Sequence, residues 1–179
     1  MEGPEAPTEH LHEHIQEHAH GTKIKWVMGV ALSSALLAAL AAVAALAAGH
    51  HVNEALIEQL KSSDQWNYYQ AKGVKAAVLG SKLELLQGLD KTPSASDRQK
   101  LADYKKEQEE IKIKAEEMES SSHEHLRAHV VFARAVTLYQ VAIALGAISV
   151  LTNKRTFWLI SLMFGLLGFA FMVQALLVH

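Results

Sequence analysis

WVMGVALSSALLAALAAVAALAAG, residues 26–49, is a stretch of alanine, leucine and valine that contains no Asp, Glu, Lys, Arg or His. Residues 135–153 and 156–178 have the same character. Each stretch is long enough to cross a hydrocarbon core of about 30 Å as a helix, which takes about 20 residues. The pattern therefore predicts an all-α membrane protein with three transmembrane helices.

A long charged segment, residues 50–134, separates the first and second of these stretches. Charged side chains recur in it every few residues, so we expect water to surround it. Its clear break is DKTPSASD at 90–97, because Pro93 lacks an amide donor and Ser94 or Ser96 can cap a new helix. We predict that the charged segment folds back there as a long antiparallel, coiled-coil-like helical hairpin.

The predicted organisation has five parts. They are a His- and Glu-rich arm with a short helix that Gly21 ends (1–22), the first transmembrane helix (23–49), the extramembrane hairpin with its turn at about 90–97 (50–134), the second transmembrane helix (135–153) and the third (156–178).

An apolar stripe follows the first half of the charged segment at spacings of three and four residues, which are typical of a helix that packs on another helix. It consists of Val52, Leu56, Leu60, Val74, Val78, Leu85 and Leu89, with Ser63, Asn67 and Gln70 interrupting it. The second half carries Leu101, Tyr104, Ile111, Ala115, Met118 and Leu126. Two helices alone bury little apolar surface, so we expect a homo-oligomer or a protein partner at the hairpin.

Composition excludes several classes of function. The 179 residues include no cysteine, which rules out disulfides, thiolate catalysis and cysteine-based metal sites. A net charge of −2 with mixed signs gives no basic footprint for nucleic acid. No glycine-rich phosphate loop, nucleophile elbow or H-E-x-x-H motif occurs. We expect a protein that is not an enzyme, has no cofactor and has the lipid bilayer as its surroundings.

The first apolar stretch has a second interpretation, a cleaved signal peptide, because Ala45-Leu46-Ala47 fits a small-x-small cleavage pattern. The stretch is about twice as long as the usual apolar region of 7–15 residues. This length favours a retained span.

Basic residues beside the spans predict the orientation. Lys23 and Lys25 precede the first span, and Lys154–Arg155 joins the second to the third. Basic flanks stay cytoplasmic, whereas long loops cross regardless of charge. We expect a multi-pass inner-membrane protein with a cytoplasmic amino terminus and with the hairpin and carboxyl terminus in the periplasm. Arg127 and Arg134, on the outer side, run against the rule.

Histidines in the amino-terminal arm are the most suggestive local chemistry. His10, His14 and His18 recur every four residues and share one helical face. Imidazoles at this spacing could bind a divalent transition metal, and histidine also gains charge near pH 6.5. The alternative is a solvated polar arm in which His and Glu pair.

A second histidine group lies at the two ends of the charged segment: His50, His51, His123, His125 and His129. If the chain turns near Pro93, His123 comes opposite Asp64 and the two share a polar layer. We favour a hydrogen bond or ion pair between the helices over a metal site here.

Aromatic and amide side chains concentrate in SDQWNYYQAK, residues 63–72. Trp66 and Tyr69 suit packing at a helix–helix contact, with recognition of a partner as the alternative.

Small and amide residues predict contacts inside the membrane. Ala31, Ala35 and Ala39 form a small face that suits close packing on another helix, in this chain or a second one. Gln140 and Gln174 stand at similar predicted depths, so their amides could hydrogen-bond across helices.

Several of these runs together resemble a family of uncharacterised bacterial membrane proteins, domain of unknown function 4337. The resemblance covers most of the chain and is carried by TEHLHEH at 8–14, the alanine-rich span, HVNEA at 51–55 and, most specifically, SDQWNYYQAK at 63–72. It implies a bacterial inner-membrane protein with three spans. It implies no activity and no catalytic residue.

The expected function is a non-enzymatic, oligomeric membrane scaffold that presents the hairpin to partners. The alternative is an oligomeric channel or a divalent-metal or pH-responsive membrane protein that uses the histidine-rich arm.

Overall fold

A computed structural model describes the backbone of residues 7–177 and the side chains of residues 25–177. Three helices account for almost all of it: α1 (Pro7–Gly88), α2 (Ala95–Thr152) and α3 (Arg155–Leu177). No strand occurs between residues 7 and 177, so the predicted all-α class is confirmed. Each helix contains a window long and apolar enough to cross a membrane, judged by length and composition.

The break between α1 and α2 is a compact turn. Asp90 takes a left-handed conformation, with φ 54°. The amide of Lys91 donates to the carbonyl of Leu86 at 2.9 Å, and the amide of Asp90 donates to that of Gln87 at 3.1 Å. This pair of bonds is the Schellman motif that satisfies the last carbonyls of a helix.

Ser94 starts the next helix. Its hydroxyl accepts a hydrogen bond from the amide of Ser96 at 3.2 Å, and its carbonyl accepts one from Asp97 at 3.1 Å. Of the two predicted caps, Ser94 is therefore the one used.

Helix α1 does not end at Gly21, where we expected the short amino-terminal helix to stop. A glycine inside a helix costs about 1 kcal/mol relative to alanine. That cost is too small to terminate a helix whose neighbours on both sides favour helical structure.

The chain divides into two compact units, which are described separately. The first combines the residues up to Ala48 with those from Val130 onward, and the second is Gly49–His129. The core of the first unit joins the apolar parts of all three helices and contains Leu37, Ala44, Ala48, Phe132, Ala135, Tyr139, Ala142 and Ala175.

Small residues on α3 allow the close approach of the helices in the first unit. Its buried residues are Ser161, Gly165, Gly168 and Ala175. A Cβ on Gly168 would lie 3.0 Å from the ring of Tyr139, which is fully buried. Ser161 donates its hydroxyl to the carbonyl of Ala142 at 2.6 Å. Small side chains and hydroxyl-to-carbonyl bonds are what hold helices together where lipid removes the hydrophobic driving force.

Candidate functional site in the charged segment

A seam of small and polar residues joins α1 to α2 in the second unit. Its α1 side repeats every seventh residue, as in a coiled coil, and consists of Ala55, Ser62, Tyr69, Ala76 and Leu83. All of these except the half-buried Tyr69 are buried. On α2 the seam includes the buried Ile111, Ala115 and Ser122.

Two serine hydroxyls cross the seam in opposite directions. Ser62 donates to the carbonyl of Ala115 at 3.0 Å, and Ser122 donates to the carbonyl of Ala55 at 2.8 Å. Nearer the turn, Lys82 pairs with Asp97 at 2.7 Å. Residue numbers rise along α1 as they fall along α2 through these contacts, so the two helices lie side by side with opposite direction in this unit.

Lys72 is the centre of the most elaborate contact across the seam. Its side chain is 12% exposed and pairs with the carboxylate of Glu107. Its Nζ also lies 5.3 Å from the ring centroid of Tyr68 and 5.2 Å from that of Tyr104. A cation between two aromatic rings gains from their quadrupoles as well as from its counter-ion.

This environment fixes the charge of Lys72. The hydrogen bond to Glu107 raises the pKa of Lys72 above its ordinary value, although desolvation by burial acts against it and contact with Tyr68 adds to it. Catalytic lysines need a lowered pKa, because only the neutral amine is a nucleophile or base. Lys72 is therefore suited to holding the two helices together.

Gly73 makes room for a further contact beside Lys72. The side-chain amide of Gln108 donates to the carbonyl of Tyr69 at 3.4 Å, and a Cβ on Gly73 would lie 2.7 Å from that amide nitrogen. A residue larger than glycine would have to displace Gln108.

Apart from Val52, which is half-buried, the residues of the predicted apolar stripe lie on the opposite side of α1 from the seam. We call Leu56, Leu60, Val74, Val78, Leu85 and Leu89 the outer stripe; they are 58–67% exposed. The prediction that this stripe packs on another helix is thus wrong for the contact between α1 and α2. Close approach of two backbones favours alanine and serine, so the smaller residues form the seam and the larger ones are left outside.

The outward side of α2 differs sharply from that of α1. Among its large hydrophobic side chains in the second unit, only Ile113 and Leu126 are exposed. Most of the other exposed residues there are charged, and they include Lys100, Asp103, Lys105, Lys106, Glu109, Glu110, Lys114, Glu116, Glu117 and Glu124. Leu101, Tyr104, Ile111, Ala115 and Met118 from the predicted second set are buried or half-buried, whereas Leu126 is exposed.

The residues of the 63–72 run divide between the two sides of α1. Trp66 and Tyr69 are half-buried, and their rings meet edge to face with centroids 5.5 Å apart. Asp64 is exposed and does not share a layer with His123, since the neighbouring Ser122 lies against Ala55. The predicted pairing of His123 with Asp64 was wrong because it assumed a turn near Pro93. The tight turn lies around Asp90 instead, which shortens the connection and changes which residues of the two helices lie opposite each other.

Residues predicted to pack in the membrane face outward. Ala31, Ala35 and Ala39 are exposed, as are Gln140 and Gln174. No hydrogen bond joins the two amides to each other or to any other residue in the part of the chain that the structure describes. The contacts predicted for these residues therefore stay predictions, and the partner that could provide them is a second chain.

The metal-binding prediction at His10, His14 and His18 concerns side chains outside the described residues. Among residues 25–177, no three ligating side chains are gathered as a group that could hold a metal ion. The structure does bring His51 and His125 together, with their Nδ1 atoms 3.2 Å apart. This contact matches the interhelical hydrogen bond that we favoured for the second histidine group.

Sequence reasoning missed Lys72, Glu107 and Gln108, the polar residues of the seam. A signal was present in the seven-residue repeat that places Lys72 in register with Gln65, Glu58 and His51. A search for apolar residues at regular spacing does not find such a repeat, because its members are polar.

Comparison with curated proteins and with solved structures gives no match. A family model does match, over residues 26–178, and its description is Domain of unknown function (DUF4337). Most of the chain is covered, including all of the second unit with its 63–72 run and most of the first. The chain therefore belongs to this family.

Proposed function

We propose that this protein is a non-enzymatic, oligomeric scaffold of the bacterial inner membrane. Three transmembrane helices anchor it, and the charged segment extends into the periplasm as an antiparallel helical hairpin. The amino terminus faces the cytoplasm and the carboxyl terminus faces the periplasm. The basic residues Lys23, Lys25, Lys154 and Arg155 support this orientation.

The observation that carries the proposal is the exposed outer stripe of α1. Burying one leucine or valine side chain contributes about 1.5–3 kcal/mol. The stripe offers five of them on one face of α1 and a sixth, Leu89, directly after its last residue. An apolar surface of this kind, beside the charged outward side of α2, marks an interaction site.

A second copy of the chain is the partner that fits the outer stripe. Leu56, Asn67, Val78 and Leu89 recur every eleventh residue, a period that keeps a stripe on one side of a nearly straight helix. Copies inserted in one membrane share their orientation, so their stripes can meet along their length. The exposed alanine face of Ala31, Ala35 and Ala39 supports close packing between copies within the bilayer.

Lys72 supports a structural role for the charged segment. Its charge is neutralised by Glu107 across the seam and is covered by two tyrosine rings. Residues of the 63–72 run therefore stabilise a rigid pair of helices, and the outer stripe is left available for binding.

The oligomer is tested by mass photometry of the full chain in detergent. We expect the unaltered protein to form one discrete oligomer, and the double variant Leu60→Glu, Val78→Glu to form monomers, because a charge in an apolar interface is strongly unfavourable. The matched control is Ile113→Glu, Leu126→Glu on α2, which should leave the oligomer intact. A monomeric parent protein, or equal loss of assembly in both double variants, would contradict the proposal.

The topology is tested with single cysteines, which the natural chain lacks. Ser96→Cys lies in the exposed first turn of α2, and Lys154→Cys lies in the short connection to α3. In intact cells, a membrane-impermeant maleimide should label Ser96→Cys and leave Lys154→Cys unmodified until the membrane is opened. The reverse pattern would place the charged segment in the cytoplasm.

A further inference from the structure

We infer that His51 and His125 form the core of a divalent transition-metal site at the end of the charged segment farthest from the turn, with His129 as a third ligand. This inference does not depend on oligomer formation. It concerns a site separate from the histidines of the amino-terminal arm, which belong to a different part of the sequence.

The two imidazoles already stand at a ligand-to-ligand distance. Their Nδ1 atoms are 3.2 Å apart and their ring centroids are 5.5 Å apart. In a tetrahedral zinc site with Zn–N bonds of 2.0–2.1 Å, two ligand nitrogens lie about 3.3–3.4 Å apart. Exchange of the shared proton for a metal ion therefore needs rotation of the rings and no separation of the helices.

The backbone around the pair is held in place. Ser122 donates its hydroxyl to the carbonyl of Ala55 at 2.8 Å, one turn away from the histidines on each helix. Ala55 and Ser122 are both buried. Ligands on rigid helices lose little freedom when a metal binds, which favours affinity.

The sequence of α2 supplies the third ligand. His129 is half-buried and follows His125 by four residues, so both side chains lie on the same side of the helix. Two histidines at this spacing are the arrangement by which one helix provides two zinc ligands. His129 completes the site by a change of rotamer, since no three ligating side chains converge as they stand among residues 25–177.

The chemistry of the site selects its ion. Neutral imidazole nitrogens favour zinc, nickel, copper or cobalt over magnesium or calcium, which prefer oxygen ligands. With three histidines and a water molecule, the site has the composition of an open tetrahedral centre.

Zinc binding to the full chain tests the inference. The histidines of the arm are first replaced by glutamine, at His10, His12, His14, His18 and His20, so that the arm contributes no imidazole. Calorimetry in detergent should then show one zinc ion per chain. His51→Gln and His125→Gln should each weaken binding at least tenfold, and His129→Gln should weaken it as well. His123→Gln, an exposed neighbour on α2, is the matched control and should bind as the parent does.

A second readout guards against variants that fold poorly. Zinc should raise the melting temperature of the parent protein and of His123→Gln, and should raise that of His51→Gln and His125→Gln less at the same zinc concentration. Cobalt should produce the visible absorption of a tetrahedral complex only in the first two proteins. Absence of zinc binding in the parent, or equal affinity in parent and histidine-pair variants, would overturn the site. Equal affinity in His129→Gln alone would remove the third ligand.

Discussion

The parts of α1 and α2 in the second unit share one seam, yet they present opposite surfaces to their surroundings. On α1 and at its end the outer stripe leaves six large apolar side chains more than half exposed, whereas α2 exposes mainly lysine and glutamate. Both helices satisfy the same contact with alanine, serine and a few polar residues. The apolar residues of α1 are therefore surplus to that contact, which is why we assign them to contacts with another copy.

The largest effect is expected when a charge is placed in the seam, and it can be compared with the same charge on the exposed side of α2. Ala115→Asp puts a carboxylate in the seam at a fully buried position, and we expect a loss of about 3–5 kcal/mol in the free energy of unfolding. Ala102→Asp puts the same group on the exposed charged side and should change stability by less than about 0.5 kcal/mol. Thermal unfolding followed by circular dichroism measures both. Similar losses would mean that the two sides of α2 are not distinct.

A smaller effect is expected from removing the cation that crosses the seam. Lys72→Met should lower the melting temperature, because Glu107 is left without its counter-ion, whereas Lys75→Met on the exposed side should change it little.

The effect of Lys72 has a predicted pH dependence. Since the folded-state pKa of Lys72 is raised, its contribution is fully present below the ordinary lysine pKa of 10.5 and is lost as the pH rises through the raised value. The difference in melting temperature between the unaltered protein and Lys72→Met should therefore be the same at pH 7 and pH 9, and it should disappear at strongly alkaline pH. A difference that grows with pH would contradict the assigned role.

The smallest effect concerns the turn that lets the two helices lie side by side. Asp90→Gly should raise the free energy of unfolding by about 1 kcal/mol, since glycine adopts the left-handed conformation without steric cost. Thr92→Gly, in the same connection, should bring no gain. A loss of stability in Asp90→Gly would show that the aspartate contributes more than its backbone conformation.

The three helices and the break near Pro93 were predictable because they rest on strong signals, long uncharged stretches and a residue without an amide donor. Ser94 was predictable as one of two possible caps, because a serine next to this break can accept a hydrogen bond from the first amides of the following helix. The choice between Ser94 and Ser96 required the geometry of the turn, which a left-handed Asp90 brings forward by a few residues.

The seam itself was not predicted, because hydropathy and close packing favour different residues. Leu56 and Val78 give a strong apolar period, but Ala55, Ser62 and Ala76 allow the backbones to approach. The partner helix determines which of these two sides of α1 forms the contact. Helix α2 offers Ala115 and Ser122 at positions that match Ser62 and Ala55. In the first unit the same preference selects Gly165 and Gly168 on α3, and the exposed Ala35 is left outside.

The reciprocal bonds of Ser62 and Ser122 also determine which movements the second unit permits. Each hydroxyl reaches a backbone carbonyl of the other helix, and the two bonds point in opposite directions. A translation by one helical turn, about 5.4 Å, would break both bonds together and move Ala55 and Ala115 away from the residues that they now contact. Sliding of one helix past the other therefore costs both hydrogen bonds at once, whereas a bend of the two helices together can keep them.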